Sequence, residues 1–156
     1  MKVKVEINYS NYKPQYVYHP FINTAANKIF RFFRENGLIE NKKYKEKDTL
    51  SFLICNDKKI RELQKKYRNI DSPTNELSFS YWDEPSSHIG EIVINWQEVI
   101  RDSEKSFEDR KISLLNFIIH AFLHIIHFTH ETAKEKERME NLKMRIMDEV
   151  FGIKEL

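Results

Sequence analysis

Four of the six histidines in this chain fall within one short stretch, His120-Ala121-Phe122-Leu123-His124-Ile125-Ile126-His127-Phe128-Thr129-His130. His120 and His124 sit four apart in an apolar run, Ile118 to Phe128, that has the character of a buried helix. At that spacing both imidazoles leave one helix face, about 6 Å apart along the axis, and two such nitrogens can bind one metal ion. His127 shares the face, but it stands about 10.5 Å of helical rise beyond His120, which metal–nitrogen bonds of about 2.0–2.1 Å cannot bridge. His130 can serve if the helix stops near His127 and the chain turns back. The candidate ligands are therefore His120, His124 and His130, with a fourth position open to water or substrate. Three protein ligands and an open position form the catalytic pattern rather than the closed structural one. The alternative is a set of core histidines with hydrogen-bond partners, but three in so apolar a helix would be costly to bury without a shared purpose.

Water on a metal with neutral histidine ligands has a lowered pKa and can act as a nucleophile near neutral pH, so hydrolysis is the first reaction class. The histidine spacing also matches the zinc-protease pattern His-Glu-x-x-His-x-x-Gly-x-x-His. Proteases place their general base directly after the first histidine, and here that residue is Ala121, which accepts no proton. Phosphodiester cleavage fits better: a metal polarises a phosphoryl oxygen, and a guanidinium neutralises transition-state charge. Between Lys58 and Arg68 six bases (Lys58, Lys59, Arg61, Lys65, Lys66, Arg68) face one acid, Glu62. That run is either a phosphate-facing patch or a solvated helix face, and Arg68 at its end offers the bidentate fork that lysine lacks.

The elements that position these groups follow from periodicity. Val3, Val5 and Ile7 alternate with polar residues and predict a strand. Ile22, Ala25, Ala26, Ile29, Phe30 and Phe33 predict a helix stopped by Asn36-Gly37. A charged connector, Lys42 to Lys47, leads to a second strand through Leu50, Phe52 and Ile54. Asn56 or Asp57 caps the next helix, with Ile60, Leu63 and Tyr67 toward the core. Turn formers run from Asn69 to Asn75, then come strands at Leu77–Tyr81 and Gly90–Asn95, separated by a loop from Trp82 to His88. A short helix is expected around Trp96 to Asp102 and the histidine helix from Phe107 to His127. Thr132 caps a last helix with Met139, Leu142, Ile146, Met147, Val150 and Phe151 as its buried stripe. The fold class is α+β, close to α/β: one small mixed sheet of about four strands packed with helices, the metal-binding helix in the core.

Composition bounds the class. With 156 residues, 40% hydrophobic and 32% charged, a single soluble domain spanning residues 1–156 is expected. No run approaches the roughly 20 apolar residues of a membrane span, and MKVKVEINYS lacks the apolar core of a signal peptide. The one cysteine, Cys55, excludes an internal disulfide and lies in a strand pattern as a small hydrophobe. The cytoplasm is the expected compartment. The net charge of +2 says little about partners.

Three stretches together resemble the bacterial YbeY family. His120 to His130 is similar to its signature His-Gly-x-Leu-His-Leu-x-Gly-Tyr-Asp-His. Leu63 to Phe79 is similar to its Leu-Asn-x-x-Tyr-Arg-x-x-Asp-x-Pro-Thr-Asp-Val-Leu-Ser-Phe segment, and Gly90 to Ile94 to its Gly-Asp-Ile-Val-Ile strand. The resemblance implies a single-strand-specific endoribonuclease acting in 16S ribosomal RNA 3′ end maturation and ribosome quality control. It implies one divalent metal per chain, Zn²⁺ by expectation, on His120, His124 and His130, and a functional Arg68 in a positively charged groove. Small-subunit ribosomal proteins and an assembly GTPase are implied partners. The chain departs from the signature at Ala121 and His127, which replace glycines, and at Thr129 and Asn75, which replace aspartates. His127 must then supply the turn that glycine permits, and histidine is among the residues enriched at positive φ.

Other readings stay beside this one. A ribosome-assembly factor that binds RNA and protein with a mainly structural metal is the alternative, and a metalloprotease is the third. Tyr67 is a stacking surface for a base or a core residue at helical spacing. Trp82 is a platform for single-stranded RNA or a plug at the sheet edge. Glu91 could touch the site through its strand but is expected at the surface. His19 and His88 carry no assignment.

Overall fold

Leu50, Phe52 and Ile54 are all but solvent-free, so the second strand runs through the middle of the molecule and its neighbours must cover it. The computed structural model describes residues 2–40 and 47–154. Four strands, β1 (Lys4–Tyr9), β2 (Thr49–Cys55), β3 (Glu76–Ser80) and β4 (His88–Asn95), form one mixed sheet in the order β1-β2-β4-β3. β1, β2 and β4 are parallel, whereas β3 runs antiparallel to β4 at the edge. The connector expected at Lys42 to Lys47 lies outside the described residues except for Lys47. That lysine is buried and donates to the carbonyls of Tyr81 and Glu84 at 2.6 Å, pinning the loop after β3.

Parallel strands need helical crossovers, and the helices α1 (His19–Glu35) and α2 (Asp57–Arg68) begin two of them. α1 enters through Tyr18 at φ 59° with Pro20 in its first turn, and it stops at Asn36 before Gly37 at φ 66°. α2 is capped by Asn56, whose side chain accepts from the Lys59 amide. Strand alternation then divides the core. Leu50, Phe52, Ile54, Ile92 and Ile94 join the large cluster with α1 and the later helices, while Cys55, Leu77 and Val93 pack under Ile60 of α2 on the opposite face.

The remaining helices are α3 (Trp96–Ser106), α4 (Arg110–Ile125) and α5 (Ala133–Arg145), the last continuing into a π-helical turn, Ile146–Val150. α4 is apolar on nearly every side because it is surrounded: Leu114, Leu115, Ile118, Ile119, Phe122 and Leu123 are all buried. Each such side chain contributes roughly 1.5–3 kcal/mol relative to exposure, which makes α4 the anchor of the core. Among the described residues no helix is long and apolar enough to cross a membrane.

Several boundaries differ from expectation. α3 continues to Ser106 rather than ending at Asp102, and α4 starts at Arg110 rather than Phe107. Phe107 terminates α3 at φ 54° and is 98% exposed, after which Asp109 caps α4 by accepting from the Lys111 amide. α4 ends at Ile125, before His127. Tyr67 is 51% exposed rather than in the core, its ring edge-on to Phe79 at 5.2 Å. Trp82 is buried and stacks on Phe30, so it plugs the core and offers no face to a base. In the C-terminal stripe Val150 and Phe151 are only half-buried, whereas Met139, Leu142, Ile146 and Met147 are buried as expected. Thr132 caps α5 through the Glu135 amide.

Candidate metal centre and its groove

The end of α4 decides the geometry of the histidines. The Phe128 amide donates to the Leu123 carbonyl at 2.9 Å and the His127 amide to the His124 carbonyl at 3.0 Å. These two bonds make a Schellman stop with His127 at the left-handed position, φ 75°. The chain reverses there, and His130 comes back against the last turn of the helix.

His120, His124 and His130 consequently offer ring nitrogens that all lie within 4.8 Å of one another, a group that could hold a metal ion. The Nε2 atoms of His120 and His124 are 3.0 Å apart, and the His130 ring lies 5.0 Å from that of His124 and 5.4 Å from that of His120. His124 Nδ1 sits 2.9 Å from the Phe128 carbonyl oxygen, which can only accept, so Nδ1 carries the proton and Nε2 keeps its lone pair. His127 is outside the cluster: it stands past the helix end at the left-handed position, and its Nε2 lies 2.6 Å from Asp83 Oδ2.

The electrostatics suit the neutral rings that metals require. Burial pushes the His120 imidazole down to about 3, helped by the charges of His124, Lys143 and His130. His124 is also lowered, mainly by burial, against the Phe128 carbonyl that favours its protonated form. Donor type, convergence and protonation therefore all fit a divalent ion. Zinc, nickel, copper and iron all accept such nitrogens.

The same groove is lined by Arg68, Glu76 and Ser78. Arg68 closes α2, donates from Nη2 to the Ser78 carbonyl at 3.0 Å and rests over the Phe79 ring at 5.2 Å. Its charge reaches His124, adding to the downward shift of that ring. The rest of the basic run is mostly a solvated face: Arg61 pairs with Asp71 at 2.8 Å and Lys66 lies over Tyr67. Ser80 donates to the Ile125 carbonyl at 2.7 Å and ties β3 to the end of α4. Thr129, standing where the signature has aspartate, donates to Glu135. Asn75 contributes its carbonyl to the Asn95 amide. Ala121 is fully buried and Glu91 is exposed, hydrogen-bonded to the Tyr81 hydroxyl.

Glu76 is the residue that sequence reasoning missed. Its Oε1 lies 3.9 Å from His120 Nε2, and burial raises its carboxyl to about 7 while Lys143 pulls the other way. The available signal was a carboxylate in a strand at a position where the YbeY segment has valine.

The family model described as Endoribonuclease YbeY matches residues 11–151. A protein named Endoribonuclease YbeY from Sinorhizobium fredii is 35% identical over 106 residues, 63% of this chain and 60% of its own length, so the matched part spans less than two thirds of that relative. A protein of the same name from Ehrlichia chaffeensis is 30% identical over 119 residues, covering 76% of this chain and 77% of that one. The solution structure of TM1509 from Thermotoga maritima matches 94% of this chain and 91% of its own with TM-score 0.54 at 18% identity, a likeness of fold. A family match over nearly the whole chain, joined to a histidine cluster formed by the matched signature, places the chain in the YbeY family.

Proposed function

We propose that this chain is a metal-dependent endoribonuclease that cuts single-stranded RNA, with His120, His124 and His130 holding one divalent ion and Arg68 stabilising phosphate charge. The observation that carries the reading is the convergence of three imidazoles in a groove that Arg68 also lines. Residues 1–156 would form one unit around that centre. Zn²⁺ is the expected ion. Ribosomal RNA is the expected substrate, at the 16S 3′ end, in ribosome quality control in the cytoplasm with small-subunit proteins and an assembly GTPase.

A bound divalent ion would supply Lewis-acid polarisation of a phosphoryl oxygen and a lowered pKa for water. The protein supplies orientation and charge. The Phe128 carbonyl fixes the His124 ring, and burial keeps His120 unprotonated and free to donate its lone pair. The Ser78 carbonyl takes one Arg68 N–H and Phe79 supports the guanidinium plane, which leaves other N–H groups for phosphate oxygens. A preorganised cation in a partly water-excluded groove favours the transition state over the ground state as charge builds on the phosphoryl group.

The test is cleavage of an RNA with a hairpin stem and single-stranded tails. The wild type should cut only the tails. His124→Ala should lose both metal and cleavage, and Arg68→Ala should keep the metal and lose about 10²–10³-fold in rate, the usual scale for one charge-stabilising donor. Full cleavage by Arg68→Ala would remove Arg68 from the mechanism. Salt-dependent RNA binding without cleavage would favour the assembly-factor reading.

A further inference from the structure

A carboxylate approaches the histidine cluster from the sheet. Alternation along β3 sends Leu77 and Phe79 to the α2 face, so Glu76, Ser78 and Ser80 take the α4 face, and the bond from Ser80 to Ile125 fixes that side against the helix end. Glu76 Oε1 thereby comes within 3.9 Å of His120 Nε2. This nitrogen is the one directed at His124 Nε2, 3.0 Å away. A carboxylate that merely oriented the His120 ring would sit behind it, at Nδ1. Glu76 instead stands on the side where an ion would be.

Two further observations point to a ligand. The Glu76 side chain is only 13% exposed, and among the described residues no side chain hydrogen-bonds to its carboxylate. Lys143 acts on it without a direct ion pair. Apart from a hydrogen bond with its own backbone, the charged carboxylate is without a partner there, and it is unfavourable unless a proton or a cation joins it. Tetrahedral bonds of about 2.0–2.1 Å set ligand atoms about 3.3–3.4 Å apart. Glu76 stands outside the group of histidine nitrogens that already lie within 4.8 Å of one another, so its side chain must move in by roughly half an ångström or more to coordinate.

We propose that Glu76 is the fourth protein group of the metal centre, a carboxylate that binds the same divalent cation as His120, His124 and His130. The inference rests on the three-histidine reading given above. It makes the donor set three nitrogens and one anionic oxygen and offsets the positive charge of Lys143 and Arg68 around the ion. Ions that take five or six ligands, and zinc when it expands to five, keep a position for water or a phosphate oxygen in such a set.

The test is zinc affinity of the purified, chelator-stripped protein, measured by competition with a chromophoric chelator and without RNA. Glu76→Gln keeps the side chain's size, and Glu76→Val installs the residue of the family segment. Both should bind zinc at least tenfold more weakly than wild type while metal-free circular dichroism and melting show an intact fold. Unchanged zinc affinity in the two folded variants would overturn the role of Glu76. Zinc binding by wild type no stronger than by His124→Ala would strike the three-histidine reading itself, a distinct failure.

Discussion

His127 shows how one side chain can carry a turn that glycine would carry more easily. Its φ of 75° places it in the left-handed region, which costs a non-glycine residue roughly 1–2 kcal/mol. What it gains is the contact with Asp83, but His127 and Asp83 are 54% and 57% exposed. Surface pairs of this kind contribute about 0–1 kcal/mol, so the contact offsets only part of the strain, and glycine, which removes both, adds chain entropy of roughly 0.5–1 kcal/mol to the unfolded state. His127→Gly is therefore expected to change stability by no more than about 1 kcal/mol and to keep zinc binding, because the Schellman bonds come from the backbone. His127→Val should behave differently. A β-branched residue at this φ is a genuine outlier, so it should lose at least about 2 kcal/mol in urea unfolding and weaken zinc binding by displacing His130. Equal stability of the glycine and valine variants would show that the turn is not set by this φ.

Sheet and helix meet at Gly90, where a Cβ would lie 2.6 Å from the Phe79 carbonyl oxygen and 3.0 Å from Ile125 Cδ1. The first contact is backbone, so the edge strand must move, and the second is the last residue of α4. Gly90→Ala should cost about 1–3 kcal/mol, as overpacking does. It should also loosen the bond between Ser80 and the end of the histidine helix, read as faster amide exchange at Phe128 and His127. Wild-type exchange there would show that β4 and α4 are not coupled through this contact. These elements were legible to different degrees. The apolar run from Ile118 announces α4, and period two announces β2 and β4, because both patterns are local. The boundary between α3 and α4 was not legible from the pattern, since an αL residue at Phe107 ends one helix and the cap at Asp109 starts the next regardless of hydrophobic period. Tyr67 fits the helical stripe but lies in the last turn of α2, exposed beside the half-buried Phe79 ring rather than under it. Glu76 was invisible for a non-local reason: which face it takes is fixed by antiparallel pairing with β4, and that pairing joins residues far apart in sequence.

The candidate centre gathers its groups from distant parts of the chain. Three histidines come from one helix end and its turn, Arg68 from the close of α2 and Glu76 from the start of the edge strand. An ion bound there joins the anchor of the core, α4, to an exposed segment at His130, so binding should be felt in global stability. Any ligand that binds only the folded state adds RT ln(1 + [L]/Kd), about 2.7 kcal/mol at a hundredfold excess over Kd. For a chain of this size each kcal/mol raises the melting temperature by about 2–4 °C, so saturating zinc should raise it by roughly 5–10 °C. Excess chelator should reverse the rise. His124→Ala should melt at one temperature with or without zinc, because it lacks the ring that the Phe128 carbonyl orients. Arg68→Ala should keep the full shift, since its guanidinium touches Ser78 and Phe79 and none of the three rings. That difference separates holding the ion from using it. A zinc-induced rise that survives in His124→Ala would place the ion elsewhere in the molecule and remove the histidine cluster as its site.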